Sequence, residues 1–197
     1  KAVSHWNETY DALAGCYDDM TEDVNYPGWA DFLEKLFSRG KHPVHTVLDL
    51  ACGTGTMSFL LAARGYELIG VDFSPEMLAI AAEKTLEGEG EPPIFLCQPM
   101  EKLDLYGTVD ACVCLLDSVN HITQPGKLRR AFERVRLFLE PGGLFVFDVH
   151  TPDHLAGLDG GIFLDETEDA YCVWRTDYHP RRQICTYGMD IFRREGE

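Results

Sequence analysis

The sequence predicts a doubly wound, mostly parallel α/β sheet, and three observations carry the prediction. Val47-Leu48-Asp49-Leu50 is a short apolar strand that runs directly into a loop holding Gly53 and Gly55, with a helix after it. Glu67-Leu68-Ile69-Gly70-Val71-Asp72 repeats the pattern of a short buried strand that ends in an acid. Val109 to Leu116 is a continuous apolar run, as expected of a parallel strand covered on both faces.

Taken in order, the chain opens with an aromatic, helical segment. Trp6, Tyr10, Tyr17 and Tyr26 precede a stretch in which Trp29, Phe32, Leu33, Leu36 and Phe37 recur at helical spacing as a core-facing stripe. The first strand then sets Asp49 among apolar residues, where a carboxylate is costly unless it meets donors or a cation. The glycine loop after it lets the backbone come close to a nucleotide-like ligand, because glycine has no Cβ to hold the ligand away. A dinucleotide loop of the G-x-G-x-x-G type would carry a third glycine at position 58, and this chain has Ser58. Asp49 would also repel a pyrophosphate, so the loop suits a ligand with positive charge better than one with phosphates.

Asp72, at the end of the second strand, can accept two hydrogen bonds from ribose hydroxyls, each worth roughly 1.5–3 kcal/mol. Dinucleotide enzymes place an acid similarly, and a solvated strand-end acid is the plain alternative. Ser74-Pro75 starts a helix with a cap and a residue whose φ is already helical. Pro93 to Gln98 reads as a third strand. The fourth strand leads into Asp117-Ser118-Val119-Asn120-His121, a polar cluster at the carboxyl end, where open parallel sheets bind ligands. Lys127 to Leu139 is an amphipathic helix with Leu128, Ala131, Phe132, Val135, Phe138 and Leu139 on one face; Pro141-Gly142-Gly143 stops it, and Leu144 to Val149 is the next buried strand. From Ile162 the chain reads as short antiparallel strands. Ala170–Tyr178 and Gln183–Phe192 make a hairpin across His179-Pro180-Arg181-Arg182.

With these residues in place, the chain resembles the class I S-adenosylmethionine-dependent methyltransferases. The Val47–Thr56 segment is similar to their cofactor loop, and the three later features follow in order at suitable spacing. The resemblance implies a Rossmann-like methyltransferase fold, S-adenosyl-L-methionine as cofactor, and methyl transfer to nitrogen or oxygen of a small-molecule acceptor. It implies an N-terminal helical lid over 1–40, a cofactor-binding core over 41–151 and an antiparallel strand extension over 152–197. Cofactor contacts are implied at Tyr17, Trp29, Asp49, Ala51, Cys52, Gly53, Gly55, Asp72, Phe73, Met77, Gln98, Met100, Glu101, Leu116 and Asp117. Among these, Asp49, Gly53 and Gly55 would hold the methionyl end, Asp72 the ribose and Asp117 the region beside the sulfonium. Tyr17-Asp18 is like the pair that begins the family's lid; for Tyr17 and Trp29, ligand contact and plain packing stand level.

Two departures from the family pattern matter. After its third strand the family usually has an Asp-Met pair whose acid accepts from the adenine amine, whereas this chain has Pro99-Met100. Pro99 offers neither a side-chain acceptor nor an N–H. Adenine recognition then falls to the Met100 N–H, to Phe73 and Met77, and to the Gln98 amide, with weaker cofactor affinity as the expectation. The family's sheet also ends with one more helix and two more strands, which do not follow here before Glu197. Related small-molecule methyltransferases insert strands like the hairpin ahead of these, so the expectation is a chain cut short rather than a hairpin standing in for them.

The chemistry asked of such a site is modest. A sulfonium methyl is already activated, so holding a nucleophile in line supplies much of the acceleration, roughly 7–11 kcal/mol. A base is needed only where the acceptor arrives protonated. His121, beside Asp117 and Asn120, is the candidate catalytic residue, with an unperturbed pKa of about 6.5. A loop histidine making structural hydrogen bonds is the competing reading. His150 is a second candidate, and no residue set resembles a metal site or a nucleophile–base triad.

Composition narrows the partners. The 197 residues carry 17 Lys and Arg against 33 Asp and Glu, a formal net charge of −16. Nucleic acid is bound through clustered Lys and Arg, which here occur only as short pairs, so it is excluded as the expected substrate. No apolar run reaches membrane-spanning length and no signal pattern opens the chain, so the expectation is a cytoplasmic protein without a membrane partner. The chain begins at Lys1 rather than Met, as when leading residues are missing or processed. Seven cysteines without paired CxxC units suit buried thiols in a reducing compartment. No pattern in the sequence sets an oligomeric state. Two alternatives stand beside the methyltransferase reading: an NAD-type oxidoreductase, disfavoured by Ser58 and Asp49, and a non-catalytic binder of S-adenosylmethionine or S-adenosylhomocysteine.

Overall fold

The computed structural model describes residues 13–86, 91–167 and 170–193. Trp6 and Tyr10 lie outside the described residues. In chain order the helices are α1 (Tyr17–Met20), α2 (Tyr26–Phe37), α3 (Thr56–Ala63), α4 (Pro75–Thr85), α5 (Pro125–Phe138) and α6 (Pro152–Gly157). The strands are β1 (Thr46–Leu50), β2 (Glu67–Asp72), β3 (Ile94–Cys97), β4 (Val109–Cys114), β5 (Leu139–Phe147), β6 (Ile162–Glu166), β7 (Ala170–His179) and β8 (Ile184–Arg193). They divide into two compact units. One spans Val24–Val149; the other joins the described residues before Val24 to those after Val149.

The first unit is the doubly wound sheet. Its strands lie in the order β3-β2-β1-β4-β5, every neighbouring pair parallel. The chain winds outward from β1 to β3 and then crosses to β4 on the other side. That reversal opens a crevice outside the carboxyl ends of β1 and β4. Alternation along β1 divides its side chains between two cores. Val47 packs with Ala30, Leu33, Phe37, Met57 and Leu61 from α2 and α3. Leu48 and Leu50 pack with Val71, Leu103, Cys112 and Val135 on the opposite face. Asp49 therefore shares the face of Val47, the face that α3 covers.

Several element boundaries differ from the sequence expectation. The core seam of α2 is Ala30, Leu33 and Phe37, while Phe32 is 49% exposed and meets the Trp29 ring edge-on at 6.2 Å. The expected stripe was too wide, because a spacing of three and four residues already fills the available groove. Pro141-Gly142-Gly143 does not separate helix from strand. β5 begins at Leu139 and carries the three residues inside it, where pairing jumps from Val109↔Leu139 to Ala111↔Leu144. The segment is a bulge: Gly142 has φ 93°, and a Cβ on Gly143 would stand 2.6 Å from the Asp110 carbonyl oxygen. β4 stops at Cys114 rather than Leu116, because Leu116 and Asp117 turn into left-handed backbone.

In the second unit the expected hairpin is present, with β7 and β8 paired from Ala170↔Arg193 to His179↔Ile184. A third strand, β6, pairs antiparallel with β7. The Trp174 Nε1–H donates to Asp165 across 2.5 Å, and the Arg175 guanidinium pairs with Asp190 at 2.6 Å. Leu13, Ala14, Cys16, Cys172 and Cys185 are buried. Among the described residues no helix is long and apolar enough to cross a membrane, and no two of the seven cysteines form a disulfide.

Candidate functional site

The loop after β1 is built from left-handed backbone. Ala51, Gly53 and Gly55 have φ of 63°, 55° and 79°, a conformation that disfavours side chains with a Cβ. The strand next door holds the loop's base: the Ala51 and Cys52 N–H groups both donate to the Val71 carbonyl, at 2.7 and 3.1 Å. Asp72 holds its tip. Oδ2 of Asp72 accepts from the Gly53 N–H at 2.9 Å and Oδ1 from the Ser74 N–H at 2.9 Å. The Lys84 ammonium, from α4, donates to the Thr54 carbonyl at 3.1 Å.

The bare glycines have a second cause that the sequence did not disclose. A Cβ on Gly55 would lie 2.8 Å from the Phe95 ring, and one on Gly70 would lie 2.6 Å from it. Phe95, on β3, supports the loop and contacts the Phe59 ring at 5.7 Å. Gly70 is needed for clearance alone, Gly55 for clearance and conformation together.

Asp72 and Asp49 are both buried carboxylates. Burial pushes the Asp72 carboxyl above its ordinary range; the N–H groups of Ser74, Gly53 and Phe73 and the positive field of His121 pull it back. Three backbone N–H groups thus share the two Asp72 oxygens, which engages most of the carboxylate's accepting capacity within the loop. Asp49 is pushed up to about 6, by burial first and further by the charge of Asp72, against the lowering effect of a hydrogen bond from Ser58. That bond, Ser58 Oγ to Asp49 Oδ2, measures 2.6 Å. Burial and the neighbouring carboxylates also push the Cys52 thiol far up, so it stands in the loop as a neutral group.

At the carboxyl end of β4 the chain makes a strained turn. Leu116 and Asp117 have φ of 55° and 50°, which a bulky side chain adopts only when its surroundings impose it. The Ser118 hydroxyl donates back to the Leu115 carbonyl at 2.7 Å, and the Asp117 N–H donates to Oδ2 of Asp148 at 2.8 Å. A 3-10 turn follows over Ser118–His121 and brings His121 within electrostatic reach of Asp72. Sequence reasoning missed Asp148 and gave Ser58 no role beyond the absence of glycine. The signal for Asp148 was present: it is a further acid at the end of an apolar run, Leu144 to Phe147.

The expected adenine side is assembled differently. Gln98 does not present its amide; Oε1 accepts from the Asp104 N–H at 2.7 Å and Nε2 donates to the Asp104 carbonyl at 3.1 Å, closing a loop. Glu101 is drawn to Lys127 at 3.0 Å; burial opposes its charge, but the backbone and Lys127 hold its carboxyl below the usual range. Met77 is a core residue at 2% exposure, its N–H capped by the Ser74 hydroxyl. Phe73 is half-buried after β2, and Met100 opens a 3-10 turn and packs on the core below β1. Trp29 packs against the core above it. Tyr17 opens α1, in the second unit, and His150 stacks on His154 at 4.4 Å in that unit. Among the described residues no group of three His, Cys, Asp or Glu side chains could hold a metal ion.

Comparison with known proteins agrees with this geometry. A family model described as a methyltransferase domain matches residues 47–143. The "Putative methyltransferase YqeM" of Bacillus subtilis (strain 168) is 32% identical over 191 residues, covering 95% of this chain and 74% of that protein. The glycine N-methyltransferase of Mus musculus is 31% identical over 150 residues, covering 70% of this chain and 50% of that protein. Among solved structures, an S-adenosylmethionine-dependent methyltransferase from Clostridium acetobutylicum ATCC 824 superposes with a TM-score of 0.82 at 29% identity, covering 96% of this chain and 76% of that one. The glycine loop, the acid-ended strands and this kinship lead to one conclusion: the chain belongs to the class I S-adenosylmethionine-dependent methyltransferases.

Proposed function

We propose that the protein transfers the methyl group of S-adenosylmethionine to nitrogen or oxygen of a small molecule. The observation that carries the reading is the left-handed loop Ala51–Gly55 tied to Asp72, with the buried Asp49 carboxylate at its root. Asp49, Gly53 and Gly55 hold the methionyl end, with the Ala51 and Cys52 backbone shaping the loop. Asp72 accepts from the ribose. Met100 and Phe73 border the adenine, Leu116 and Asp117 lie beside the sulfonium, and Trp29 is a further contact. The cofactor supplies an activated methyl group; the chain's residues hold an acceptor in line with it. His121 takes the proton where the acceptor arrives charged.

A small acceptor is supported by the net charge of −16, which disfavours nucleic acid, and by relatives named for glycine and sarcosine methylation. The absence of disulfides suits work in the reducing cytoplasm. The test is parallel calorimetric titration with S-adenosylmethionine, S-adenosylhomocysteine and NAD⁺, followed by acceptor screening that reads S-adenosylhomocysteine formation. Both adenosyl ligands should bind and NAD⁺ should not, and Asp72→Ala should abolish binding. Binding of the adenosyl ligands with no turnover on any amine or hydroxyl acceptor would favour a non-catalytic binder instead.

A further inference from the structure

The Asp148 carboxylate is divided between two environments. Its Oδ2 accepts the Asp117 N–H at 2.8 Å, which fixes the left-handed Leu116–Asp117 turn. Its Oδ1 is buried and has no hydrogen-bond partner among the described residues. Such an orphaned buried oxygen calls for a cause, since a buried acceptor left without a donor is destabilising. Its charge acts inside the sheet as well: Asp49, Asp148 and Asp72 all act on the buried thiol of Cys114, the last residue of β4.

We propose that Asp148 is a specificity-determining residue that reads the charge on the cofactor's sulfur. One oxygen anchors the turn after β4; the other leaves unneutralised negative charge at the carboxyl end of β5, which favours the cationic sulfonium of S-adenosylmethionine over the neutral thioether of S-adenosylhomocysteine. Substrate is thereby retained and spent cofactor released, since methyl transfer removes the positive charge from sulfur. The proposal rests on the cofactor placement given above.

The test compares wild type, Asp148→Asn and Asp148→Glu by calorimetry with S-adenosylmethionine and S-adenosylhomocysteine separately. Asn keeps an oxygen for the Asp117 N–H and removes the charge. It should weaken S-adenosylmethionine about fivefold while leaving S-adenosylhomocysteine within about twofold, as expected for a unit charge screened at partly buried range. Glu should keep the wild-type preference. Asp148→Ser supplies a second neutral variant should Asn fail to fold, and thermal melting identifies such a failure. Equal weakening of both ligands, or no change in either, would overturn the proposal while the methyltransferase reading stood. Wild-type protein that binds neither ligand would overturn both.

Discussion

The Ser58 hydroxyl donates to Oδ2 of Asp49 across 2.6 Å, between residues that are 0% and 3% exposed. Position 58 is where a dinucleotide loop would carry glycine, and here it carries the donor that makes a buried acid tolerable. The same bond keeps Asp49 nearer to its charged form, in which it can meet an ammonium group. A carboxylate deep in a sheet, supported by one hydroxyl, reads as a stability cost retained for ligand binding.

Asp49→Asn should make the protein more stable and the site weaker. The Asp49 carboxyl is pushed up to about 6 from an ordinary 3.8, so between those values the native state holds more protons than the unfolded state. Stability therefore falls as pH rises through that window and stays lower above it, by about 3 kcal/mol at roughly 1.4 kcal/mol per pKa unit. Urea unfolding from pH 4 to pH 7 should show this fall in the wild type and a smaller one in Asp49→Asn, where the raised Asp72 carboxyl still contributes. The same variant should lose at least about tenfold in S-adenosylmethionine affinity at pH 7.

Removing the donor should act in the opposite direction. Ser58→Ala leaves Asp49 without the hydrogen bond that lowers its pKa and with an unsatisfied acceptor; a loss of about 1–3 kcal/mol in stability at pH 7 follows. The pH midpoint of S-adenosylmethionine binding should move upward relative to wild type, because the anionic form of Asp49 then appears only at higher pH. Calorimetry at several pH values measures it, and an unmoved midpoint would separate Asp49 from cofactor binding.

Gly70→Ala and Gly55→Ala should both destabilise, for separable reasons. Each added Cβ meets the Phe95 ring, but only Gly55 also has left-handed backbone, at φ 79°. In a Phe95→Leu background most of the cost of Gly70→Ala should vanish, whereas Gly55→Ala should keep about 1–2 kcal/mol of backbone strain. Denaturant unfolding of the two double-mutant cycles reads the difference.

Pro99 precedes the 3-10 turn Met100–Lys102 with extended backbone, φ −73° and ψ 144°, a geometry that suits an acidic N-terminal cap. Pro99→Asp supplies the acceptor that the family pattern directs at the adenine amine. It should tighten S-adenosylmethionine about tenfold, equivalent to roughly 1.4 kcal/mol, without lowering the melting temperature. Unchanged affinity would mean that adenine is held without this position.

The sequence by itself determined the sheet, its winding and the acids at its strand ends. Asp49 and Asp72 were legible because each closes a short apolar run, and the helix start at Ser74-Pro75 because capping is local chemistry. What it could not determine were the partners of those acids. Ser58 meets Asp49 only because α3 docks on the face of β1 that Asp49 shares; Asp148 meets Asp117 across 31 residues only because β5 lies beside β4. Phe95 reaches Gly55 and Gly70 from a strand two places away from the loop, and the pairing jump that makes Pro141-Gly142-Gly143 a bulge exists only against Val109 and Ala111. Periodicity and capping act over a few neighbouring residues and so are written in the chain. Hydrogen-bond partners and steric clearances are relations between segments, and only their packing settles them.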